Sequence, residues 1–471
     1  MSDLIRTDLL VIGGGSGGLS VAAGAVQMGA SVVLLEAGRM GGDCLNYGCV
    51  PSKALIASGK HAHAFGTGGP FGIAPAEPQV DYAAAKSHVQ DVIAGIAPHD
   101  SVERFEELGV KVITEFGRFT GPNSVEAGDK LIEARRIVIA TGSSPLVPPI
   151  PGLAEVPHHT NETIFDLTER PEHLIIIGGG PIGMELAQAH VRLGSRVTVL
   201  EGAKALGKDD PELAAIVLET VRGEGVEIVE GASATQVSGG EGDIAVTVND
   251  GSVYRGSHLL VAVGRKPNIG QLDLAKAGIE YTSRGITVDK GLRTSNRSVY
   301  AIGDVAGGMQ FTHVANYHAG LVIRSALFGL PVKASTAHIP WVTFTDPEMA
   351  QVGLTEAQAR EAHGDRLEVL RFDYGESDRA RTERATTGLI KVMVVKGRPV
   401  GASIVGRQAG ELIGIWALTI ANRLKISAVA NMVAPYPTLG EINKRAAGQY
   451  YVPRLFESDL VKKIVRLVQR F

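Results

Sequence analysis

Cys44 and Cys49 are the only thiols in the 471-residue chain, five positions apart in the run GGDCLNYGCVPSK, residues 41–53. Two such thiols can cycle between dithiol and disulfide, carrying two electrons per turn. In a straight helix five residues rise by about 7.5 Å, whereas a disulfide needs its Cα atoms within about 6.8 Å. Pairing therefore requires a distorted segment, and Gly48 relaxes the backbone beside Cys49. A strained bond is better suited to cycling than to stapling in a compartment that keeps thiols reduced. The competing reading is two unrelated buried thiols, which are common. Two cysteines supply neither a secreted disulfide framework nor a four-cysteine zinc site, and no resident metal is expected.

The elements that must position this pair repeat one device. Residues 8–12, DLLVI, read as a buried strand. Gly13, Gly15 and Gly18 follow at G-x-G-x-x-G spacing, then a helical stretch and the strand SVVLLE ending at Glu36. This is a βαβ unit with the dinucleotide fingerprint. Its glycines allow a tight turn and close approach to a pyrophosphate, and the helix N-terminus offers that anion free N–H groups. The acid at the second strand's tip suits a ribose diol. At 174–201 the device returns, with Gly178, Gly180, Gly183 and Glu201. In both copies the acid follows the third glycine by 18 residues (36 − 18 and 201 − 183). Two fingerprints imply two dinucleotides with a hydride passing between them. They also favour the redox reading of the cysteine pair.

IVIATGSSP (137–145), with Thr141 and Gly142, and LLVAVGRKPN (259–268), with Gly264, read as matching exits from the two nucleotide domains. SVYAIGDV (298–305) ends a strand at Gly303 and Asp304, and an acid there suits a polyol chain. From about residue 339, WVTFTD, EVLRFDY, LIKVMVV and GASIVG read as strands of a mixed sheet, followed by helical segments.

Composition bounds the function. Lys and Arg total 46 against 50 Asp and Glu, a net charge of −4. That balance argues against nucleic acid and implies no membrane surface. Glycine, at 59 of 471 residues, is well above the typical ~7%. No run reaches the roughly 18 apolar residues that span a bilayer, and the N-terminus does not read as a signal peptide. The expected location is cytoplasmic.

Together, GGDCLNYGCVPSK, the two fingerprints, ATGS, VGRKPN and AIGDV resemble the class I pyridine nucleotide–disulfide oxidoreductases, which include dihydrolipoyl dehydrogenase, glutathione reductase and mercuric reductase. The resemblance covers essentially the whole chain. It implies an α/β fold of glutathione reductase type, with two Rossmann-like domains and a C-terminal α+β dimerisation domain. The boundaries expected are 1–148 and 268–338 for FAD, 149–267 for NAD(P)H, and 339–471 for dimerisation. The first fingerprint, with Glu36, Thr141, Gly142, Gly303 and Asp304, is then the FAD site, and the second, with Glu201 and Gly264, the nicotinamide-cofactor site. Cys49 becomes the thiol facing the flavin and Cys44 the interchange thiol. Lys53 lies near flavin N5, paired with Glu185. A homodimer follows, each active site completed by the other subunit.

Departures bear on the acceptor. Disulfide reductases of this family carry His-Pro with a glutamate five residues after the histidine. Here Pro437 and Glu441 are in place, but the histidine position is Tyr436. Thiol–disulfide exchange needs a base near pKa 7, and tyrosine sits near 10. Mercuric reductases also carry tyrosine there, and IPWVTFTDPEMAQVG (339–353) is similar to theirs. They add a vicinal cysteine pair that this chain lacks. Asp43 replaces the usual threonine and, if ionised, should raise the pKa of Cys44. His313, His318 and His338 are candidate substitute bases. The leading reading is an NAD(P)H oxidoreductase, NADH preferred, that passes electrons through Cys49 and Cys44 to a small acceptor. That acceptor is a thiol-bound metal ion, a small disulfide or a quinone-like compound. Dihydrolipoyl dehydrogenase is the alternative, and a redox-sensing or electron-transfer flavoprotein subunit is the alternative of another class. Residues 459–471 place Leu460, Ile464, Leu467, Val468 and Phe471 on one helical face, with Lys462, Lys463, Arg466 and Arg470 elsewhere. This reads as a membrane-surface or partner helix, or as one docked on the dimer's own core.

Overall fold

Leu9, Leu10, Val11 and Ile12 form an unbroken apolar run, and such a run is stable as a strand only when both faces are covered. The computed structural model, which describes residues 3–470, shows that arrangement. Leu9 and Val11 pack with Leu19, Ala22, Ala319 and Val322 from the helices Ser16–Gln27 and Thr312–Phe328. Leu10 and Ile12 pack on the opposite face with Phe119, Val125 and Ile132. The strand runs Asp3–Ile12, beyond the segment expected, because its outer half pairs with Lys130–Ile139 from Asp3 onward. Lys111–Ile113, Val32–Leu35, Asp3–Ile12, Lys130–Ile139 and Val299–Ala301 form a parallel sheet in that order. The antiparallel pair Arg118–Gly121 and Ser124–Ala127 extends it.

The chain divides into two units. One comprises the segment up to Gly178 together with Ala189–Gly202 and Ala232–Ser335, and the other Gly179–Gln188, Ala203–Gly231 and the chain from Thr336 onward.

Within the first unit the two strand-to-glycine turns are built alike. Gly13 and Gly178 both adopt φ +112°, which side chains rarely tolerate. A Cβ on Gly13 would stand 2.4 Å from the carbonyl oxygen of Ala140, and one on Gly178 2.5 Å from that of Ala262. The Gly13 amide donates to Leu35 at 2.8 Å and the Gly178 amide to Leu200 at 2.9 Å. The second parallel sheet places His173–Ile177 between Arg196–Glu201 and His258–Val261. The two exit segments pair with each other: Ser143–Pro145 lies antiparallel to Arg265–Pro267.

In the second unit Pro340–Thr343, Glu348–Gly353, Arg398–Gly406, Leu389–Val395 and Leu367–Asp373 form a five-stranded sheet in that order. Every neighbouring pair is antiparallel. This corrects the expected mixed sheet: two of the four pairs are joined by short hairpin loops, 344–347 and 396–397, which need no crossover. The helix Gly414–Ala421 buries Trp416, whose indole donates to Asn443 at 2.7 Å. The ammonium of Lys391 is buried and pairs with Asp210 at 2.9 Å, Glu212 at 2.8 Å and Glu356 at 2.9 Å.

Candidate active site

The helical path through the cysteine run is broken, as a disulfide requires. Gly42–Asn46 is a short helix, Tyr47 and Gly48 leave helical geometry, and a new helix starts at Cys49 and continues to Ala64. Gly48 is tight against Asp43: a Cβ there would meet the Asp43 carbonyl oxygen at 3.0 Å. Cys49 thus occupies the first position of a 16-residue helix, where the positive end of the backbone dipole favours a thiolate. Both thiols are free; Cys49 is exposed and Cys44 half-buried.

The two sulfurs are electrostatically unequal. The Cys49 thiol falls from its ordinary 9.0 to about 6, chiefly because Cys44 donates a hydrogen bond to its thiolate, with help from Thr312 and the charge of Lys53. The Cys44 thiol is pushed strongly upward by that same bond and by burial. Thr312 Oγ1 stands 3.6 Å from Cys49 Sγ. Thr312 opens the helix that packs on the first fingerprint helix, a relationship that local sequence pattern does not signal.

Asp43 is held in place beside the first cysteine. Its carboxylate accepts from Arg265 at 2.9 Å and from Asn161 at 3.1 Å. Its charge also acts on Cys49, raising that thiol against the larger downward influences. Arg265 also donates to the hydroxyl and carbonyl of Ser143, each at 2.7 Å. Ser143 in turn donates to Asp304 at 2.5 Å. Burial raises the Asp304 carboxyl, with Ser143 and Arg265 opposing.

The first fingerprint presents a cradle. Gly15 caps its helix without a side-chain bond, and a Cβ there would find only Gly42, at 3.8 Å. Gly142, at φ +67°, has open space where a Cβ would stand. Gly18 packs inward, 1.9 Å from the Gly13 oxygen for a Cβ. The Glu36 carboxylate is fixed by the amides of Gly14 and Gly38, both at 2.6 Å. Thr141 is locked to Asn268 by bonds of 2.8 and 3.0 Å. Gly303 donates its amide to His318 Nδ1 at 3.3 Å, so that histidine is occupied, and burial lowers its pKa. Open glycine turns, unclaimed helix N–H groups and a fixed acid at the strand tip suit FAD.

Of the second fingerprint, Gly178 and Glu201 lie in the first unit, Glu201 at the end of its strand. Gly264, also in the first unit, has φ +129° and open space where a Cβ would stand. Gly180 and Gly183 lie in the second unit with Glu185, and space beside Gly180 is likewise open. Glu185 is buried and accepts the Phe344 amide at 2.8 Å.

Tyr436, in the second unit, precedes a cis proline and is largely exposed. Its hydroxyl donates to Asp378 at 3.2 Å, which raises its pKa further above neutral. Glu441 is engaged by Arg445 at 3.2 Å. Asp378 and Arg445 were not singled out from sequence. No group of three or more His, Cys, Asp or Glu side chains among the described residues is placed to hold a metal ion, and no described helix is long and apolar enough to cross a membrane.

Fold and site define a flavoprotein disulfide reductase architecture, and comparison with known proteins agrees. Residues 7–319 match the family described as pyridine nucleotide-disulphide oxidoreductase, and residues 339–447 match its dimerisation domain. The chain belongs to this family, whose members use FAD and NAD(P)H. It is 36% identical to a mercuric reductase of Bacillus cereus over 92% of this chain and 70% of that protein. It is 31% identical to dihydrolipoyl dehydrogenase of Bacillus subtilis over 92% of this chain and 96% of that protein. Among solved structures, the Cu(II) complex of the HOCl-induced flavoprotein disulfide reductase RclA from Escherichia coli superposes with a TM-score of 0.83. It is 29% identical and covers 93% of this chain and 99% of that one.

Proposed function

We propose that this oxidoreductase transfers electrons from NADH through Cys44 and Cys49 to a thiol-bound soft metal ion or a small disulfide, in the manner of a mercuric reductase. The observation that carries this reading is the inequality of the two sulfurs, one depressed to about 6 and its neighbour raised, with Tyr436 bonded to Asp378 where a histidine base would serve a disulfide. A soft metal needs thiolate ligands more than a proton acceptor. The B. cereus relative and the Cu(II) complex of RclA support a metal acceptor.

When bound, FAD supplies a carrier that takes a hydride from the nicotinamide and passes an electron pair to the disulfide. Residues 1–148 and 268–338 hold it, 149–267 hold NAD(P)H, and 339–471 join two subunits. Glu36 binds the adenosine ribose and Asp304 the ribitol. Two electrons break the Cys44–Cys49 bond. Cys49 remains as thiolate, stabilised by the helix N-terminus, Thr312 and Lys53, and one proton stays on Cys44. Cys44, the interchange thiol, meets the acceptor. The acceptor gains two electrons, the disulfide re-forms and the Cys44 proton departs.

The test is anaerobic titration with NADH followed by a panel of lipoamide, glutathione disulfide, Hg²⁺ and Cu²⁺ thiol complexes, and quinones. Fastest turnover with a metal complex supports the reading. Fastest turnover with lipoamide assigns the protein to the dihydrolipoyl dehydrogenases instead.

A further inference from the structure

The helix Asp459–Val468 is well made and uncovered. Ser458 caps it through the Val461 amide, Asp459 lies in its first turn and Arg466 in its last, each favourable for the helix dipole. Its root is fastened: Arg454 pairs with Glu368 at 2.7 Å and stacks 3.6 Å above the Tyr450 ring. Yet none of its residues is buried. Leu460 is 68% exposed, Ile464 51%, Leu467 56% and Val468 61%, and Phe456 just before the helix is 71% exposed. At 3.6 residues per turn, Leu460, Val461, Ile464, Val465, Leu467 and Val468 fill one arc of about 160°. Lys462, Lys463, Arg466 and Arg470 fill the rest, with Asp459 the only acid between 459 and 470. A whole-chain charge of −4 conceals this local cationic stripe.

We propose that this helix docks the enzyme on an anionic lipid bilayer, lying in the interface with its apolar arc among the acyl chains and its cations at the headgroups. Charge complementarity selects this occupant. A basic polar face flanking a wide apolar arc is what an anionic headgroup layer complements. Self-pairing through the apolar arc would leave Lys462, Lys463, Arg466 and Arg470 on the outward face without counter-charge, whereas an anionic bilayer engages both faces. The helix also lies beyond residue 447, where the match to the family's dimerisation domain ends. The inference is independent of the acceptor.

The experiment is co-sedimentation of the purified holoenzyme with vesicles of phosphatidylglycerol and phosphatidylcholine in equal parts, and with phosphatidylcholine alone. Most of the protein should pellet with the anionic vesicles, and partitioning should be at least about tenfold weaker on neutral ones or in high salt. The triple variant Lys462→Glu/Lys463→Glu/Arg466→Glu and the single variant Ile464→Glu should each lose partitioning. Both should keep wild-type NADH turnover and an unchanged sedimentation coefficient without lipid. Absence of pelleting with anionic vesicles overturns the proposal, as does pelleting that neither variant weakens. A change of oligomeric state in Ile464→Glu also overturns it, because a second copy of the chain then covers this face.

Discussion

The carboxylate of Asp43, the residue immediately before the first cysteine, stands 2.9 Å from the guanidinium of Arg265. Arg265 belongs to the strand that pairs with Ser143–Pro145, and it reaches Asp304 through Ser143. One side chain therefore connects the cysteine segment, the exit of the second fingerprint and the acid at the end of the Val299–Ala301 strand. The arrangement holds a negative charge beside the redox pair and pairs it with a guanidinium.

Removing Arg265 should leave Asp43 and Asp304 without their cation. The pair is partly buried, with side-chain exposures of 12% and 35%, so Arg265→Ala should destabilise the holoenzyme by about 2–3 kcal/mol. Arg265→Lys should recover little of this, because an ammonium cannot reproduce the forked contacts with Asp43 and Ser143. Asp43→Asn should cost less than Arg265→Ala. Chemical denaturation with FAD bound checks the order, and equal stability of Arg265→Lys and wild type would refute it.

The unequal thiols predict a pH-dependent spectrum. Two-electron reduction should give a long-wavelength charge-transfer band whose intensity halves near pH 6, where Cys49 titrates. Cys49→Ser should abolish the band, and Cys44→Ser should show it without reductant. Because the bond from Cys44 is the largest influence on Cys49, Cys44→Ala should move the midpoint upward toward 9.0. A midpoint that stays near 6 in that variant would remove Cys44 as the cause. The depressed folded pKa also has a sign for stability. Its contribution to the reduced protein is complete above 9.0 and is lost as pH falls through about 6.

The parts of the fold that recur locally were legible in the sequence. Both glycine turns, their strands and their terminal acids follow from spacing, because tight turn, helix and strand are all specified within some 30 residues. The role of Arg265 was not, since Asp43 and Ser143 come from distant segments and only the folded sheet joins them. The strand Glu348–Gly353 was equally obscure. Ala350 and Val352 face the core, and the opposite face carries Gln351, a buried amide that accepts from Ser403, so polarity does not alternate with burial as in a half-exposed strand. The partner of Tyr436 was hidden for the same reason: Asp378 lies in a separate short helix, Asp378–Thr382.

Lys391 gives a stability prediction for the second unit. Its ammonium answers three carboxylates, so Lys391→Met should cost about 3–5 kcal/mol by leaving buried Asp210 unpaired. The pairing raises the pKa of Lys391 and lowers that of Glu356, while Glu212 is lowered first by Arg371 and then by Lys391. The lysine's contribution is complete below 10.5 and lost as pH rises through its folded value. The glutamates' contribution is complete above 4.5 and lost as pH falls through theirs. Wild type should therefore exceed the variant most between those limits, and a difference constant from pH 3 to 11 would contradict the assignment.

Cofactor choice should follow Glu201. It ends the strand Arg196–Glu201, where a 2′-phosphate would meet like charge. The next four residues supply Lys204 and no arginine. kcat/KM should favour NADH over NADPH by at least about tenfold, and Glu201→Gln should narrow the ratio. A wild-type preference for NADPH would reject this reading.

Tyr436 most sharply separates a metal-reducing from a disulfide-reducing reading. Its phenol donates to Asp378, and that contact raises its pKa, so it holds its proton throughout the neutral range. Glu441 is turned to Arg445. Wild type should therefore oxidise dihydrolipoamide poorly, for want of a group to exchange a proton with the thiols. Tyr436→His places an imidazole beside Asp378, and the carboxylate should hold its pKa near or above 7. Turnover with lipoamide or small disulfides should then rise by about 10- to 100-fold, with a pH dependence near 7. The rate of flavin reduction by NADH should be unchanged. Tyr436→Phe removes the phenol and frees Asp378; it should lower metal-ion reduction if the hydroxyl helps hold the metal, and should change disulfide turnover little. Stopped-flow measurement of the two half-reactions separates these effects. Wild-type lipoamide turnover equal to that of Tyr436→His would show that another group already supplies the base.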